Sequence, residues 1–295
     1  ALVGTFLADL TPDGSRMAYA LPGGHVVTWD FAAGTAVTAT YNGERQFNRA
    51  WVGADNLTLA HYFNDPFLYL LDSTTGADAG RLNYPEGVSG FHSPDYLQFT
   101  PDGRWMLLAS SNSIMVWDMQ TREPVQVIEE FLGTDYEVGM SADAALILAR
   151  DLQFDFKYYA WDGTTGAELS VMDHAPFAFD ATRSWAFVYD DGAVQVLDTV
   201  THEPVYSFEH YKPDRLIPGP DGHYLYVESP ASFSLYDLTE GRLAVGADDT
   251  APVFDPAVGW LAYHLESTGQ LRLFPLDPAQ DDRFLSWPGN DGTTM

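Results

Sequence analysis

A recurring aspartate at the end of a short apolar strand is the feature that most constrains how this chain of 295 residues can fold. The clearest copy lies in residues 99–118, where a Pro-Asp-Gly turn at 101–103 precedes apolar runs at 105–109 and 114–117. Proline presets φ for such a turn, and glycine supplies a positive φ. The second run stops at Asp118, whose carboxylate we expect to accept backbone N–H groups in an Asx-type turn.

Copies of this aspartate follow one another along the whole chain. The intervals between them are 42, 46, 44, 36, 39 and 40 residues, for Asp30, Asp72, Asp118, Asp162, Asp198, Asp237 and Asp277. The upstream turn recurs as well, at residues 12–14, 54–56, 101–103, 142–143 and 220–222. A period of about 40 residues indicates stacked supersecondary units rather than one irregular domain.

Three of these aspartates follow a tryptophan, at 29–30, 117–118 and 161–162. With the upstream turn, these pairs resemble the WD-repeat β-propeller family. The Asp-x-x-Thr-Gly turns at 72–76 and 162–166 resemble its looser bacterial relatives and the repeats of pyrroloquinoline-quinone enzymes. The resemblance implies an all-β fold, a seven-bladed β-propeller of four-stranded antiparallel blades. It would form one domain over residues 1–288, with a tail or linker at 289–295.

This sequence departs from both repeat families at specific positions. The Gly-His pair that usually opens a WD repeat is absent, so the buried His–Asp network of that family is not expected here. The docking tryptophan that the quinone enzymes place after the turn is missing too, and those enzymes normally carry eight blades rather than seven. The resemblance therefore predicts the fold more strongly than any activity.

The predicted turns divide the connections between two rims. The short turns all fall on one rim. Longer connections form the opposite one, the long-loop rim, at residues 41–49, 62–66, 84–95, 129–136, 150–156, 172–177, 209–215 and 264–270. Variable loops on a rigid scaffold are where binding usually resides. The predicted partner-binding residues are therefore the aromatic and acidic side chains of this rim: Phe47, Phe63, Phe91, Phe131, Tyr136, Phe154, Tyr211, Glu129, Glu130 and Asp135.

The charge balance narrows the class of partner. The net charge is −28, from 14 basic and 42 acidic residues. Such a field repels phosphate backbones and anionic membrane surfaces, so nucleic acid is not expected as a partner. No apolar run approaches the roughly 18 residues of a membrane span, so direct membrane insertion is not expected either. The acidity is explained by solubility or adaptation to high salt or acid, or by attraction of a basic protein partner or divalent cations. The absence of cysteine excludes disulfides and thiol catalysis.

No catalytic or cofactor motif stands out. The sequence has no Gly-x-Ser-x-Gly elbow, no phosphate loop and no His-x-x-x-His spacing. Asp151 and Asp155 are the closest approach to a ligand loop for Ca²⁺, which takes six to eight oxygen ligands. No cofactor is otherwise predicted.

The leading hypothesis is a non-enzymatic protein-interaction scaffold that binds through the long-loop rim. The chain starts without methionine, which fits a processed terminus or a piece of a longer polypeptide or larger complex. A propeller enzyme with a site at the central channel, either a lactonase or other hydrolase or a quinone-dependent oxidoreductase, is one alternative. A carbohydrate-binding surface protein is another. A glycosylation sequon at 56–58 favours a secreted or cell-surface location over the cytoplasm.

Overall fold

The architecture is that of a computed structural model. It describes residues 8–11, 14–40, 47–53, 56–62, 65–88, 94, 96–110, 112–129, 136–152, 157–173, 177–180, 182–219, 222–230, 232–248, 253–255, 259–265, 270–276, 281 and 283–286. All regular secondary structure in these ranges is β-strand. None of them contains a helix long and apolar enough to span a membrane.

The strands form seven four-stranded sheets, each made of four consecutive strands paired in chain order. We number them sheet 1 to sheet 7. The seven predicted repeats and their four-stranded antiparallel composition are therefore confirmed. The first and last sheets each take all four strands from their own end of the chain.

The chain divides into two compact units, which are described separately. Unit 1 covers residues 1–140, 151–155 and 160–169. It holds sheets 1 to 3, with strands β1 (Ala8–Leu10), β2 (Arg16–Leu21), β3 (His25–Asp30), β4 (Thr35–Thr40), β5 (Phe47–Val52), β6 (Leu57–Tyr62), β7 (Phe67–Asp72), β8 (Asp78–Asn83), β9 (Tyr96–Phe99), β10 (Trp105–Ser110), β11 (Ser113–Asp118) and β12 (Glu123–Ile128).

Unit 2 covers residues 141–150, 156–159 and 170–295. It holds sheets 5 to 7, with strands β17 (Phe177–Phe179), β18 (Trp185–Asp190), β19 (Ala193–Asp198), β20 (Pro204–Glu209), β21 (Arg215–Pro218), β22 (Tyr224–Ser229), β23 (Ser232–Asp237), β24 (Arg242–Asp248), β25 (Val253–Asp255), β26 (Trp260–Leu265), β27 (Gln270–Pro275) and β28 (Arg283–Ser286). Sheet 4 has residues in both units, with strands β13 (Tyr136–Met140), β14 (Leu146–Asp151), β15 (Lys157–Asp162) and β16 (Glu168–Asp173).

The core lies between neighbouring sheets, because the middle strands bury both of their faces. In unit 1, one cluster joins sheets 1 and 2, and a second joins sheets 2 and 3 around Leu70, Met106 and Trp117. In unit 2, Phe187 and Leu225 join sheets 5 and 6, while a further cluster joins sheets 6 and 7. A strand buried on both faces needs a continuous apolar run, which explains the unbroken hydrophobic stretches in the sequence.

The repeated aspartates close Asx-type turns, as their position predicted. In the described part of the chain, one carboxylate oxygen accepts backbone N–H groups two or three residues ahead in Asp30, Asp72, Asp118, Asp162, Asp198 and Asp237. Asp277 lies outside the described residues. These bonds satisfy backbone donors at the turn between the third and fourth strands of a sheet. Each repeat aspartate therefore stabilises the reversal of the chain at its own turn.

The fifth position of this turn has a left-handed backbone. Its φ is +62° to +73° in four glycines, at Gly34, Gly76, Gly166 and Gly241. A Cβ on Gly241 would lie 2.9 Å from Cε1 of Tyr206 in the outer strand of sheet 5, and one on Gly76 would lie 3.1 Å from Cγ1 of Val37 in sheet 1. Glycine there serves both the turn and the packing of one blade on the preceding one.

Candidate functional site

The segment 209–215, between β20 and β21, is the one long-loop connection predicted above that the structure describes at every residue. We call it the Tyr211 segment. It lies in unit 2 and joins sheets 5 and 6. Tyr211 presents 79% of its surface to solvent, the largest exposure among the large hydrophobic side chains described.

The backbone of the Tyr211 segment is fastened at several points. The amide of His210 donates to the carbonyl of Gly192 over 3.0 Å, and the amide of Asp214 donates to the carbonyl of Glu228 over 2.7 Å. The amide of Lys212 donates to the hydroxyl of Tyr189 over 3.1 Å. Because these amides bond to β18, to the turn that follows it and to β22, the backbone that carries the exposed tyrosine is held at three points.

A side-chain network centred on His210 adds two further fastenings. Its Nδ1 lies 3.2 Å from the hydroxyl of Tyr236, and its Nε2 lies 3.0 Å from Oγ of Ser229. The Tyr236 hydroxyl donates to the Glu209 carbonyl over 3.3 Å, and the Ser229 hydroxyl donates to the Tyr211 carbonyl over 3.2 Å. The hydroxyls on β22 and β23 therefore each contact the imidazole and also donate to one of the two carbonyls that flank His210 in the Tyr211 segment.

Counting protons shows what this network can do. Its four links need four protons, but the two hydroxyls and a neutral imidazole supply three between them. A cationic His210 would complete the fourth link, worth about 1 kcal/mol. The cation would also lose part of its hydration, which costs several kcal/mol per ion when burial is complete. No ion pair involves His210 in the described part of the chain, and its side chain is half-buried, so the hydrogen bond gained on protonation is opposed by a partial desolvation cost.

The pKa shifts of His210 and Tyr236 both favour the uncharged form of the side chain. Burial lowers the pKa of the His210 imidazole from its ordinary value. Burial also raises the pKa of the Tyr236 phenol, with a smaller opposing effect from the Ser234 side chain. The network is therefore neutral at pH 7 and consists of hydrogen bonds between uncharged groups.

Aromatic and charged neighbours complete the surroundings. The Tyr236 ring stacks on Phe208 with centroids 4.3 Å apart, which fixes the hydroxyl that meets His210. The Lys212 ammonium lies 5.7 Å from the centroid of the Tyr211 ring, within cation–π range. Arg215 pairs with Glu228 at 3.5 Å, and both side chains are partly exposed.

The remaining predicted rim residues fall into three groups. Glu129 is exposed after β12, and Tyr136 begins β13 with its side chain half-buried. Phe47 is only 6% exposed and packs edge-on against Tyr69 at 5.2 Å, so its prediction as a surface anchor needs correction: it belongs to the core between sheets 1 and 2. The others lie outside the described residues: Phe63, Phe91, Phe131, Phe154, Glu130 and Asp135.

Of the two predicted calcium ligands, Asp151 and Asp155, the structure describes only the first. Asp151 ends β14 and is 7% exposed, whereas Asp155 lies outside the described residues. Over the described ranges, no three histidine or carboxylate side chains converge in a way that could hold a metal ion. Calcium binding thus stays a prediction.

The His210 network was not predicted from the sequence. His210 lies 19 residues before Ser229 and 26 residues before Tyr236, and the three side chains form no recognised motif. One signal was present: Tyr236 precedes a repeat aspartate, at the position where three other blades have tryptophan. A phenol placed in the blade core requires a hydrogen-bond partner for its hydroxyl.

Comparisons with known proteins address the fold. No family model and no curated protein sequence matches this chain. Among solved structures, a chain from "Crystal Structure of Mitotic Checkpoint Complex" has a TM-score of 0.52 at 12% identity, covering 91% of this chain and 88% of that one. A chain of Kuenenia stuttgartiensis hydrazine synthase has a TM-score of 0.46 at 14% identity, covering 91% and 94%. The second score is too low to carry an argument.

The class of the protein follows from the sheets together with the first of these likenesses. Seven four-stranded antiparallel sheets in chain order define an all-β protein, a seven-bladed β-propeller. At 12% identity the likeness concerns the fold alone. Function has to be argued from the residues of the Tyr211 segment.

Proposed function

We propose that this protein is a non-enzymatic interaction module, a WD-repeat-like propeller that binds a protein partner through its long-loop rim and works as part of a larger complex. One observation carries the proposal: Tyr211 is 79% exposed on a backbone that is fastened to its neighbours. Tyrosine is enriched among residues that dominate binding energy, and a side chain on a pre-ordered backbone loses less entropy when it binds.

The charge of the chain supports a preference for a partner with a basic surface. Acidic residues outnumber basic ones by 42 to 14, so the negative charge of the chain attracts a cationic protein surface and speeds their diffusional encounter. The solved chain of similar fold comes from the mitotic checkpoint complex, and this agrees with a role within a complex.

Affinity capture with two matched variants tests the proposal. Tyr211→Ala removes the proposed anchor, whereas Val200→Ala changes a residue that is 64% exposed on the short-turn rim. We expect proteins retained by the wild type and by Val200→Ala to be lost with Tyr211→Ala, and the retained complex to weaken as salt is raised. Equal retention by all three proteins would reject the rim as the binding surface. Binding to a glycan array that depends on Tyr211 would favour the carbohydrate alternative.

A hydrolase is the second candidate, and the geometry of Ser229 is its specific support. Its hydroxyl lies 3.0 Å from Nε2 of His210, whose other nitrogen meets Tyr236, as in a nucleophile with an oriented base. The residue after the serine is Pro230, which has no N–H to stabilise an oxyanion. Labelling by a fluorophosphonate that Ser229→Ala abolishes would establish this candidate. An unlabelled protein would leave the interaction module standing.

A further inference from the structure

We propose that the exposed Tyr211 ring and the carboxylates beside it bind an arginine side chain of the protein partner, which takes the place of Lys212 over the ring. We call the ring and these carboxylates the arginine site. This inference rests on the function proposed above and names the chemistry of the partner at the same surface. Binding of an arginine side chain is a property of this chain and can be measured without the partner.

The Tyr211 ring already carries a cation from its own chain. The Lys212 ammonium lies 5.7 Å from the ring centroid, and both side chains are exposed. An aromatic face attracts a cation that lies within about 6 Å of its centroid. Because the lysine side chain is long, flexible and strongly hydrated, an arriving cation can displace it into solvent without disturbing a strand. The pair therefore shows which chemistry this ring accepts.

Carboxylates lie on the elements that hold the ring in place. Asp190 and Asp191 belong to the turn between β18 and β19, to which the backbone of the Tyr211 segment bonds. Glu209 and Asp214 belong to the segment itself, and both are exposed. Within the described residues, none of these four carboxylates forms an ion pair. Their negative charge is therefore available to a cation of the partner.

Strand register places two of these carboxylates on one face of sheet 5. Asp190 pairs with Ala193, and Ala193 pairs with Glu209, so the three residues form a row across β18, β19 and β20. Residues directly opposite one another in antiparallel strands point to the same face. Neighbouring strands lie about 4.8 Å apart, so the backbones of Asp190 and Glu209 are about 10 Å apart with only a methyl group between them. The end of the sheet from which the Tyr211 segment departs is therefore strongly negative.

Arginine matches this combination better than other side chains. Its planar guanidinium stacks on an aromatic face and at the same time donates hydrogen bonds to carboxylates. An anionic side chain would instead meet an excess of negative charge. The two cations of this region are Lys212 and Arg215, and Arg215 is already paired with Glu228 at 3.5 Å.

Nuclear magnetic resonance on the whole chain tests the arginine site, with N-acetyl-arginine methylamide as the probe. The citrulline analogue is the control compound, because it has nearly the same shape but no charge. The ring signals of Tyr211, assigned by their loss in Tyr211→Leu, are followed as each compound is added. We expect a saturable shift with the arginine compound and none with the citrulline compound at the same concentration. Salt should weaken the binding, because exposed charges are screened.

Lys212→Gln tests whether the lysine occupies the site or helps to build it. We expect the arginine compound to bind about threefold more tightly to this variant, because the ring face is vacated and a repelling charge is removed. Weaker binding would show that the lysine contributes to the site, and this would overturn the proposal.

Two double variants of equal net charge test the carboxylates. Asp191→Asn with Glu209→Gln removes two charges beside the ring, and asparagine suits the φ of +46° at the first position. Glu123→Gln with Glu203→Gln removes two exposed charges at the other ends of the outer strands β12 and β20. We expect about fivefold weaker binding in the first variant and less than about twofold in the second. Equal weakening would mean that only the total charge matters, and it would overturn the arginine site.

The arginine site and the proposed function fail in different experiments. Captured partners that ignore Tyr211→Ala would overturn the proposed function, while the titration would still report arginine binding by the chain. Captured partners that depend on Tyr211, but that neither an excess of the arginine compound nor the Asp191 and Glu209 double variant releases, would overturn the arginine site and leave the interaction module standing. A Tyr211 ring that responds equally to both compounds would also overturn it.

Discussion

Nδ1 of His210 lies 3.2 Å from the hydroxyl of Tyr236, at a position where other blades of this propeller place tryptophan. An indole has one donor and no acceptor, whereas a phenol can both donate and accept. The change to tyrosine thus lets one blade core extend a hydrogen bond outward to the long-loop rim. Loss of the Tyr236 hydroxyl would therefore remove the hydrogen bonds to both His210 and the Glu209 carbonyl of the Tyr211 segment.

We expect Tyr236→Phe to lower the free energy of unfolding by about 1 kcal/mol, because it deletes a hydroxyl that bonds to His210 and to the Glu209 carbonyl. The stacking of the ring on Phe208 is retained. Urea unfolding measures the loss. Tyr206→Phe is the control, since its ring also stacks on Phe208 and its hydroxyl has no hydrogen bond in the described part of the chain. Equal losses in both variants would contradict the network.

Alanine at the turn glycines should separate backbone strain from close packing. Gly34 and Gly241 have φ values of +65° and +62°, but a Cβ on Gly34 meets nothing within 4 Å, whereas one on Gly241 meets the ring of Tyr206. We expect Gly34→Ala to cost about 1 kcal/mol and Gly241→Ala distinctly more. Chemical denaturation compares the two. Similar losses of stability in the two variants would mean that the Tyr206 ring moves away from the added methyl group at no energetic cost.

His202→Gly should stabilise the protein by up to about 1 kcal/mol. His202 occupies the glycine position of its turn with a φ of +60°, and its Nε2 is buried without a hydrogen-bond partner among the described residues. Glycine would remove both the backbone strain and the buried nitrogen without a partner. The larger conformational entropy of glycine in the unfolded chain offsets part of this stabilisation. Thermal unfolding at matched concentration reports the change, and a lowered midpoint would show that the imidazole contributes a contact of its own.

Acid should weaken the repeat turns in a defined window. The side-chain hydroxyls and amides of Thr74 and Thr75 bond to the Asp72 carboxylate and lower its pKa to about 2. A carboxyl whose folded pKa is lowered stabilises the protein fully above its unfolded pKa, about 3.9, and loses that contribution as pH falls through about 2.

Asp72→Asn isolates this effect, because the amide oxygen can still accept the turn hydrogen bonds but does not titrate. We expect the variant to fold at neutral pH and to lose less stability than the wild type between about pH 4 and about pH 2. Unfolding curves at several pH values provide the measurement. Identical acid profiles would show that this carboxylate makes no pH-dependent contribution.

The sequence alone determined the repeat, the seven four-stranded units and the Asx turns at the repeat aspartates. These features depend on residues within a few positions of one another, where proline, aspartate and glycine set backbone angles directly. Because such chemistry is local, Asp72 and Thr74 could be paired in advance from their spacing.

Only the tertiary structure decided which rim residues face solvent and which side chains meet. Phe47 and Tyr211 were both predicted as surface anchors, but strand pairing turns Phe47 into the core and leaves Tyr211 exposed. Ser229, His210 and Tyr236 come together because β22 and β23 pair beside the end of β20. Side-chain direction in a strand alternates at every residue, so burial depends on register and on the neighbouring sheet, and neither is written in the local sequence.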